Sequence, residues 1–600
     1  MTLEKDKALR ELIRKTVLLN ALQHSGKAQA GAIIGKIIGE KQELKTKAKE
    51  LSGLINKVVN EVNSLSVEEQ KRLVEEKWPE ALKKEKAEEE EKRLPPLPNA
   101  DKYKQVVTRF SPNPDCVLHL GSARAIILSH EYARLYKGKF LLRFEDTDPK
   151  MKKPVLEFYD RIREDLDWLR CKADKEYIQS DRLPLYYEYT ERLLREGNAY
   201  VCTCKPEQFQ KSALSREPCA CRSLPAEENL ERWHRMLEGD YAEGEAVVRV
   251  KTDLNHPNPA VRDWPALRII DPVKYPHPRV GSKYRVWPLY NMAAGLDDHL
   301  LGITHIIRGK EHLTNGVRQE LMYRHLGWTY PEAIHYGRLK ITGAFLSKSK
   351  IIQGVRDGTY SGFDDPRLAT FAALHKRGIT PEAVKKMIID VGPKPADVTL
   401  SWENLYSYNR KLLDPQTERY FFVSDPVELR VKNVPKIFHA ELPLHPEKPE
   451  KGHRKYTITP KGEGKTVSFW IAKKDAEAAE ANAMIRLIEL FNVKIVSFTR
   501  EGKKIIGVPR NFTKESILEV SFVSEPYEDV RKTKVQLIHW VHRDDEYPCQ
   551  VVMPDASVSE GFAESACKKL KPNDVIQFER FGFVRIDQVS AKLKGYYAHK

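Results

Sequence analysis

The alternation of strand and helix patterns after residue 103 constrains the fold of this chain more than any other feature. Short apolar runs alternate with segments of helical spacing: QVVTRF, SARAIILSHEYARLYKG, FLLRF and PVLEFYDRIREDLDWL. Strand–helix–strand order requires crossover connections, which place parallel strands side by side and cover the sheet with helices. The pattern therefore predicts an α/β region with a parallel sheet.

Different patterns flank this region. Residues 1–93 have helical spacing and contain only one proline, Pro79, and LPPLPNADK then interrupts the chain, so we expect a domain boundary near 94–102. After Pro415 the chain becomes a series of short apolar runs with frequent turns, among them RYFFVS, KTVSFWIA and DVIQFERFGFVRI. This last part is typical of an all-β region of one or two barrels.

The charge balance indicates the kind of partner. The chain has 101 Lys and Arg against 85 Asp and Glu, a net charge of +16. A basic excess favours a phosphate-rich partner, and a solvated lysine-rich surface is the alternative. The sequence has no apolar run of about twenty residues and its first residues lack a signal-peptide core, so we expect a cytoplasmic protein without membrane contact.

The segment SPNPDCVLHLGSARAIIL, from Ser111 to Leu128, marks a ligand site at the end of the first strand. Ligands of open α/β sheets bind beyond the carboxyl ends of the strands, and a helix N-terminus offers free N–H groups to phosphate. Gly121 would let a nucleotide approach the backbone, and His119 could donate a hydrogen bond to a phosphate oxygen. The alternative is a turn histidine beside a structural glycine.

A second segment, GRLKITGAFLSKSKI at 337–351, carries basic and hydroxyl side chains close together. An ammonium group here, that of Lys348, could neutralise the charge of a departing pyrophosphate. A solvated loop of serines and lysines is the alternative interpretation.

Together the two segments resemble the paired signatures of class I aminoacyl-tRNA synthetases, summarised as HIGH and KMSKS, which here are HLGS and FLSKS. The chain is most similar to glutamyl-tRNA synthetases (glutamate–tRNA ligases) of the archaeal–eukaryotic type. Four further stretches carry that resemblance: TRFSPNPD, LLRFEDTDP, VWPLYNMAAGLDDHLLGITHIIRGKEHL and YSYNRKLLDP. The match is strong over residues 100–415, and the rest of the chain matches in layout.

The resemblance implies an order of domains around a Rossmann-type catalytic fold. We expect, in chain order, a helical N-terminal extension (1–95), the first half of the Rossmann domain (96–200), an insert that binds the tRNA acceptor end (201–285), the second half of the Rossmann domain (286–350), a helical stem-contact domain (351–414) and a β-barrel anticodon-binding region (415–600).

The resemblance also implies an activity. Members of the family activate glutamate with ATP and Mg²⁺ to glutamyl-adenylate, with release of pyrophosphate, and typically need tRNA for this step. They then transfer the glutamyl group to the terminal adenosine of tRNA(Glu). We expect the same substrates and a monomeric enzyme here; whether tRNA(Gln) is also charged with glutamate stays open.

Site residues follow by resemblance at the matching positions. Arg109 would bind the side-chain carboxylate of glutamate, because a guanidinium fork suits a carboxylate, and Glu145 would hold the ammonium group. The other amino-acid-binding positions are Ser111, Tyr290 and Arg308. The ATP-binding positions are His119, Gly121, Ser122, Glu311, His312, Leu339, Leu346, Ser347 and Lys348, of which His119 and Lys348 would be catalytic.

Some positions depart from the family pattern or distinguish its members. Ser122 replaces the second histidine of the first signature, and Phe345 replaces the first lysine of the second. Glutaminyl-tRNA synthetases are the nearest alternative; they usually have DDTNP where this chain has EDTDP, and a histidine where it has Ala294. The comparison favours glutamate as the substrate.

Four of the eight cysteines form two Cys-x-Cys pairs, Cys202 with Cys204 and Cys219 with Cys221. Four thiolates can give Zn²⁺ a closed tetrahedral site, and some glutamyl-tRNA synthetases carry such pairs at this position. We expect a structural zinc site without a catalytic role; four reduced cysteines in a loop are the alternative.

Two other functions remain open at this level. A non-catalytic tRNA-binding paralogue would keep the basic surface, but His119, Glu145 and Lys348 argue against it. A small-molecule nucleotidyltransferase of the same superfamily would not need the long β region.

Overall fold

The computed structural model divides the chain into two compact units, Met1–Arg93 and Leu94–Lys600. It describes residues 6–23, 28, 30, 33, 37, 44, 48–78, 94–343, 347–480, 482–500, 503–505, 512, 515–531 and 535–600. None of the helices in these ranges has the length and apolar character that crossing a membrane requires.

The described part of the first unit is helical, as its sequence pattern predicts. Its helices are α1 (Lys7–Gln23), α2 (Ala48–Asn63) and α3 (Val67–Lys77). Apolar side chains such as Ile13, Val17, Leu51 and Ile55 are fully buried in a core of their own. This unit therefore has the separate hydrophobic core expected of a domain.

The second unit begins with a three-stranded parallel sheet. Its elements are β1 (Val107–Phe110), α4 (Ala123–Leu135), β2 (Lys139–Phe144), α5 (Leu156–Trp168) and β3 (Lys175–Ile178). The strand order is β1-β2-β3, all parallel. A Cβ added at Gly138 would lie 2.0 Å from the carbonyl oxygen of Val106, so the close return of the chain from α4 into β2 requires glycine there. The parallel α/β sheet predicted from the sequence is confirmed.

An antiparallel segment interrupts the parallel region. Its elements are α6 (Leu183–Arg195), β4 (Ala199–Cys202), α7 (Pro206–Ser215), α8 (Ala226–Glu238), β5 (Val247–Val250), β6 (Pro265–Ile269) and β7 (Val286–Pro288). The four strands pair in the order β4-β5-β6-β7.

The chain then returns to the parallel part and adds a helical segment. The elements are α9 (Tyr290–Leu300), β8 (His305–Gly309), α10 (Leu313–Leu326), β9 (Glu332–Tyr336), β10 (Leu339–Ile341), α11 (Lys348–Arg356), α12 (Phe371–Lys376), α13 (Pro381–Val391), β11 (Val398–Leu400) and α14 (Trp402–Leu413). The N–H of Thr304, just before β8, donates to the carbonyl of Val107 (3.0 Å). This bond places the start of β8 beside the start of β1.

The remaining chain is mainly β structure, as predicted. Its elements are β12 (Arg419–Tyr420), β13 (Phe422–Ser424), β14 (Pro426–Lys432), β15 (Phe438–Pro443), β16 (His453–Ile458), β17 (Val467–Ala472), α15 (Lys473–Glu477), β18 (Met484–Leu487), β19 (Asn492–Arg500), β20 (Lys503–Ile505), β21 (Ile517–Ser524), α16 (Glu528–Arg531), β22 (Gln536–Ile538), β23 (Val541–His542), β24 (Glu546–Val552), β25 (Val558–Glu564), β26 (Val575–Phe578), β27 (Gly582–Val589) and β28 (Leu593–His599).

Two sheets organise this β region. A seven-stranded sheet has the order β12-β26-β27-β28-β24-β25-β13. An eight-stranded sheet has the order β22-β18-β19-β21-β14-β17-β23, and its eighth strand, β20, pairs with β19. The run DVIQFERFGFVRI forms two antiparallel strands, β26 and β27. Arg580 (φ 63°) and Gly582 (φ 145°) make the turn between them, which the apolar pattern alone did not reveal.

Candidate active site

His119 lies where the turn after β1 leads into α4. Its Nδ1 accepts the N–H of Gly121 (3.0 Å), so the neutral imidazole carries its proton on Nε2. The next residue, Leu120, donates its N–H to the carbonyl of Ala369 (2.8 Å), which fixes the backbone. Burial and then the nearby Lys348 ammonium lower the pKa of His119 to about 4. His119 is therefore a neutral hydrogen-bond donor at physiological pH.

Lys348 is the first residue of α11 and lies near the first segment. Its Nζ donates to Oδ1 of Asp115 (2.7 Å), in the turn that precedes His119. The hydroxyl groups of Ser347 and Ser349 are 3.1 Å apart beside it. The structure thus brings together the two signature segments, as the paired-signature interpretation requires. Leu346, predicted to bind ATP, lies outside the described residues.

A chain of buried charges lies at the ends of β1 and β2. Arg109 forms two hydrogen bonds with Asp298 of α9, through Nε (3.1 Å) and Nη2 (3.3 Å). Arg143 bridges Asp298 (Nη1 to Oδ1, 2.7 Å) and Glu145 (Nη2 to Oε1, 2.9 Å). Burial would raise the pKa of Asp298, but the two guanidinium groups outweigh it and lower the pKa to about 2. Arg109 therefore has a carboxylate partner within the protein.

Glu145 is the last residue of this series of ion pairs. Its N–H donates to the carbonyl of Pro112 (2.9 Å), which joins the end of β2 to the turn after β1. Burial raises the pKa of its carboxyl group, and Arg143 opposes that shift. An ammonium group placed beside Glu145 would favour the charged carboxylate.

Arg308, near the end of β8, is a buried cation whose hydrogen-bond partners are all uncharged. Its guanidinium nitrogens contact Tyr330 Oη (2.8 Å), Gln319 Oε1 (3.0 Å), Tyr290 Oη (3.4 Å) and His335 Nε2 (3.4 Å). Its side chain is buried, with 5% of the residue exposed. Among the described residues, no Asp or Glu carboxylate forms an ion pair with it, and the nearby Asp298 pairs with Arg109 and Arg143 instead. A buried charge is costly without a partner of opposite sign, so this position suits a ligand carboxylate.

Other polar atoms near these groups also lack a hydrogen-bond partner in the described part of the protein. They are Ser111 Oγ, Asn291 Oδ1 and Gln319 Nε2. Buried polar atoms are normally hydrogen-bonded, so each needs a partner that the protein itself does not supply. Ser111 directly follows β1, which carries Arg109, and Gln319 on α10 accepts a hydrogen bond from Arg308 (3.0 Å), which indicates a polar ligand here.

Comparison with known proteins decides the family. A family model described as "tRNA synthetases class I (E and Q), catalytic domain" matches residues 105–415. Models for the anticodon-binding domains of the same family match residues 417–513 and 537–587.

Relatives match along nearly the whole chain. The glutamate–tRNA ligase of Pyrococcus abyssi is 52% identical over 98% of this chain and 99% of that protein. Those of Pyrococcus furiosus (98% and 99%) and Thermococcus kodakarensis (99% and 100%) are each 50% identical. The chain belongs to the glutamate–tRNA ligase family of class I tRNA synthetases. The resemblance inferred from the motifs is confirmed.

Two of the predicted nucleotide-binding residues, Glu311 and His312, lie close to Arg308 and Tyr290. Glu311 and His312 form a short turn after β8, and the His312 ring is 5.3 Å from that of Tyr290. Burial and then the Arg308 charge lower the pKa of His312 to about 4. Leu339 begins β10, which pairs with β11. The individual roles of these residues stay predictions.

Several residues of the synthetase site were missed by sequence reasoning. Asp298 and Arg143 form the centre of the buried charge network, and Asp115 pairs with Lys348. The consecutive carboxylates in GLDDHLL were a signal, since both Asp297 and Asp298 are buried. Burial and partners cannot be inferred from the motif alone.

The four cysteines predicted to bind zinc converge in the antiparallel segment. Cys202 Sγ lies 3.9 Å from Cys219 Sγ, and Cys204 Sγ lies 3.8 Å from Cys221 Sγ. Sulfur atoms in a tetrahedral site with Zn–S bonds of about 2.3 Å are about 3.8 Å apart. The sulfur atoms of Cys202, Cys204 and Cys221 all lie within 4.8 Å of one another, so these three thiols fit a zinc ion, and Cys219 lies beside them in contact with Cys202.

Proposed function

We propose that this protein attaches glutamate to tRNA(Glu) through a glutamyl-adenylate intermediate, using ATP with Mg²⁺. The near-full-length similarity to archaeal glutamate–tRNA ligases supports the reaction. The observation that carries the substrate assignment is Arg308, a buried guanidinium group whose hydrogen-bond partners are uncharged. The side-chain carboxylate of glutamate would neutralise it.

Glutamate would be selected over glutamine by charge. The amide of glutamine would leave the Arg308 charge without a counter-charge, whereas a carboxylate forms short, charge-assisted hydrogen bonds. We assign the substrate ammonium to Glu145, whose carboxylate also binds Arg143. Arg109, which the resemblance assigns to the side-chain carboxylate, is hydrogen-bonded to Asp298 here. It would contact the substrate carboxylate only if that ion pair rearranged.

In the activation step, an oxygen of the substrate α-carboxylate attacks the α-phosphorus of ATP, the P–O bond to the β-phosphate breaks, and pyrophosphate leaves. Negative charge grows on the phosphate oxygens during this step. The Nε2–H of His119 and the ammonium of Lys348 would donate to those oxygens, which stabilises the transition state. Mg²⁺ bound with ATP would screen the phosphate charges.

In the transfer step, a hydroxyl group of the terminal adenosine of tRNA attacks the glutamyl carbonyl carbon and AMP leaves. We assign the acceptor end to the insert at 201–285, the stem to the helical segment 351–414 and the anticodon to the β region 415–600. The family matches to anticodon-binding domains support the last assignment. Phosphate contacts to a basic surface would weaken with salt.

We propose that Cys202, Cys204, Cys219 and Cys221 bind a structural Zn²⁺. Three sulfurs, of Cys202, Cys204 and Cys221, lie within 4.8 Å of one another, and the Cys219 sulfur lies 3.9 Å from that of Cys202; this supports three thiolate ligands, with Cys219 as the fourth that would close the site. The ion would link β4 to the segment that follows α7 and thereby fix the insert. It would take no part in the chemistry.

Charging assays with purified protein test the proposed function. tRNA(Glu) and tRNA(Gln) transcripts are each incubated with ATP and labelled glutamate or glutamine. We expect glutamyl-tRNA(Glu), and tRNA-dependent exchange of pyrophosphate into ATP with glutamate alone. Preferential use of glutamine would contradict the assignment, and glutamylation of tRNA(Gln) would extend it. tRNA binding without exchange would identify a non-catalytic paralogue.

A further inference from the structure

The ion pair between Asp115 and Lys348 joins the two signature segments. It joins residues 233 positions apart, with Nζ 2.7 Å from Oδ1. Its side chains are 25% and 35% exposed, so the pair is neither buried nor freely solvated. Asp115 lies four residues before His119, whose pKa is lowered first by burial and then by the Lys348 charge.

The backbone around Asp115 is fixed from two sides. The carbonyl of Pro114 accepts the N–H of Val155 (2.9 Å), and the N–H of Leu118 donates to Oδ2 of Asp165 (3.2 Å). Cys116, directly after Asp115, is fully buried. The carboxylate of Asp115 therefore projects from a rigid turn.

The helix that carries Lys348 packs on that same turn. Ile352 contacts the apolar cluster of Cys116, Val117 and Phe158. One residue earlier, Ile351 is fully buried in a second cluster. The backbone of Lys348 is thus placed, but its four-carbon side chain has many rotamers, and confining it to one of them costs conformational entropy. A fixed partner for Nζ would hold the Lys348 ammonium group in one orientation.

We propose that Asp115 is a positioning residue that orients the Lys348 ammonium toward the phosphates beside His119. The inference rests on the proposed adenylate-forming function. An ammonium has three N–H donors, so the bond to Asp115 leaves two for phosphate oxygens. Because the orientation exists before ATP binds, less side-chain entropy is lost when the transition state forms. A carboxylate that merely competed with ATP for Lys348 would have the opposite effect.

A double-mutant cycle tests this role with Asp115→Asn, Lys348→Gln and the double variant. The readout is glutamate- and tRNA-dependent pyrophosphate exchange, with kcat and the KM for ATP measured separately. Loss of an ion pair worth about 1 kcal/mol predicts a roughly fivefold lower kcat for Asp115→Asn. In the Lys348→Gln background the same substitution should change nothing, since its effect acts through the ammonium.

Two further variants keep the test interpretable. Glu176→Gln breaks a comparably exposed pair with Arg163 on the sheet and should leave kcat unchanged. Asp115→Glu keeps the carboxylate and should retain more activity than Asp115→Asn, at equal thermal stability. Unchanged or higher kcat in Asp115→Asn, or losses that multiply in the double variant, would overturn the inference. Absence of glutamate-dependent exchange in the unmodified protein would instead overturn the proposed function.

Discussion

Replacing Arg308 with glutamine removes the buried charge to which we assign the glutamate side chain. The site offers neutral hydrogen-bond partners, Tyr290, Gln319, Tyr330 and His335, that can also accommodate an uncharged side chain. The Arg308→Gln protein should therefore fold, because the substitution also removes the cost of burying a guanidinium group.

The size of the effect follows from burial. Arg308 is 5% exposed, so its pair with a bound carboxylate would be shielded from water. Truncating one partner of such a pair costs about 2–5 kcal/mol, and about 3 kcal/mol corresponds to a loss of roughly a hundredfold in kcat/KM for glutamate. Glutamine has no charge to lose, so its low kcat/KM should change by less than about tenfold.

The assay is tRNA-dependent pyrophosphate exchange with each amino acid at several concentrations. Arg324→Gln is the matched control, since Arg324 lies on the next helix in an exposed i,i+4 pair with Glu320. We expect the ratio of the two kcat/KM values to collapse in Arg308→Gln alone. An equal loss for both amino acids, or no loss for glutamate, would refute the assignment.

Three further predictions concern other parts of the site. The lowered pKa of His119, about 4 against an ordinary 6.5, keeps Nδ1 free to accept the Gly121 N–H, so the contribution of His119 to exchange should persist from pH 8 to 5 and fade only as the pH falls toward 4, where protonation of Nδ1 breaks that bond and releases the ring; His119→Asn should lose roughly a hundredfold in kcat across this range. Asp298→Asn removes a carboxylate partner from two buried guanidinium groups. We expect the free energy of unfolding of the catalytic region, measured by thermal unfolding, to fall by about 3–5 kcal/mol, against about 1 kcal/mol or less for the exposed Asp174→Asn. Metal analysis should give one zinc per chain, and Cys219→Ser should lower that ratio and destabilise the insert; a ratio near zero in the unmodified protein would exclude the site.

The sequence predicted the fold well where the apolar periodicity agrees with the positions of the glycines, prolines and turn residues that end helices and strands. The strands and helices from Val107 to Trp168 follow the predicted order because their apolar spacing matches their burial in one sheet. The turn between β26 and β27 was not predicted, since Arg580 occupies a left-handed conformation that no glycine, asparagine or proline announces at that position.

The site was predictable only in part, for an electrostatic reason. The motifs place His119 and Lys348 near a common ligand, and the structure brings their segments together. The motifs do not reveal which of these cations already has a carboxylate partner. Arg109 is hydrogen-bonded to Asp298, whereas the hydrogen-bond partners of Arg308 among the described residues are uncharged. That distinction depends on the carboxylates that the fold brings from other elements, and it decides where a ligand carboxylate can bind.

The most direct test of the account is a crystal structure of the protein with a non-hydrolysable glutamyl-adenylate analogue. We predict that the side-chain carboxylate of the analogue binds Arg308 and that its phosphate mimic lies between His119 and Lys348. An analogue bound in another cavity, or with its carboxylate remote from Arg308 and its phosphate remote from His119, would contradict it.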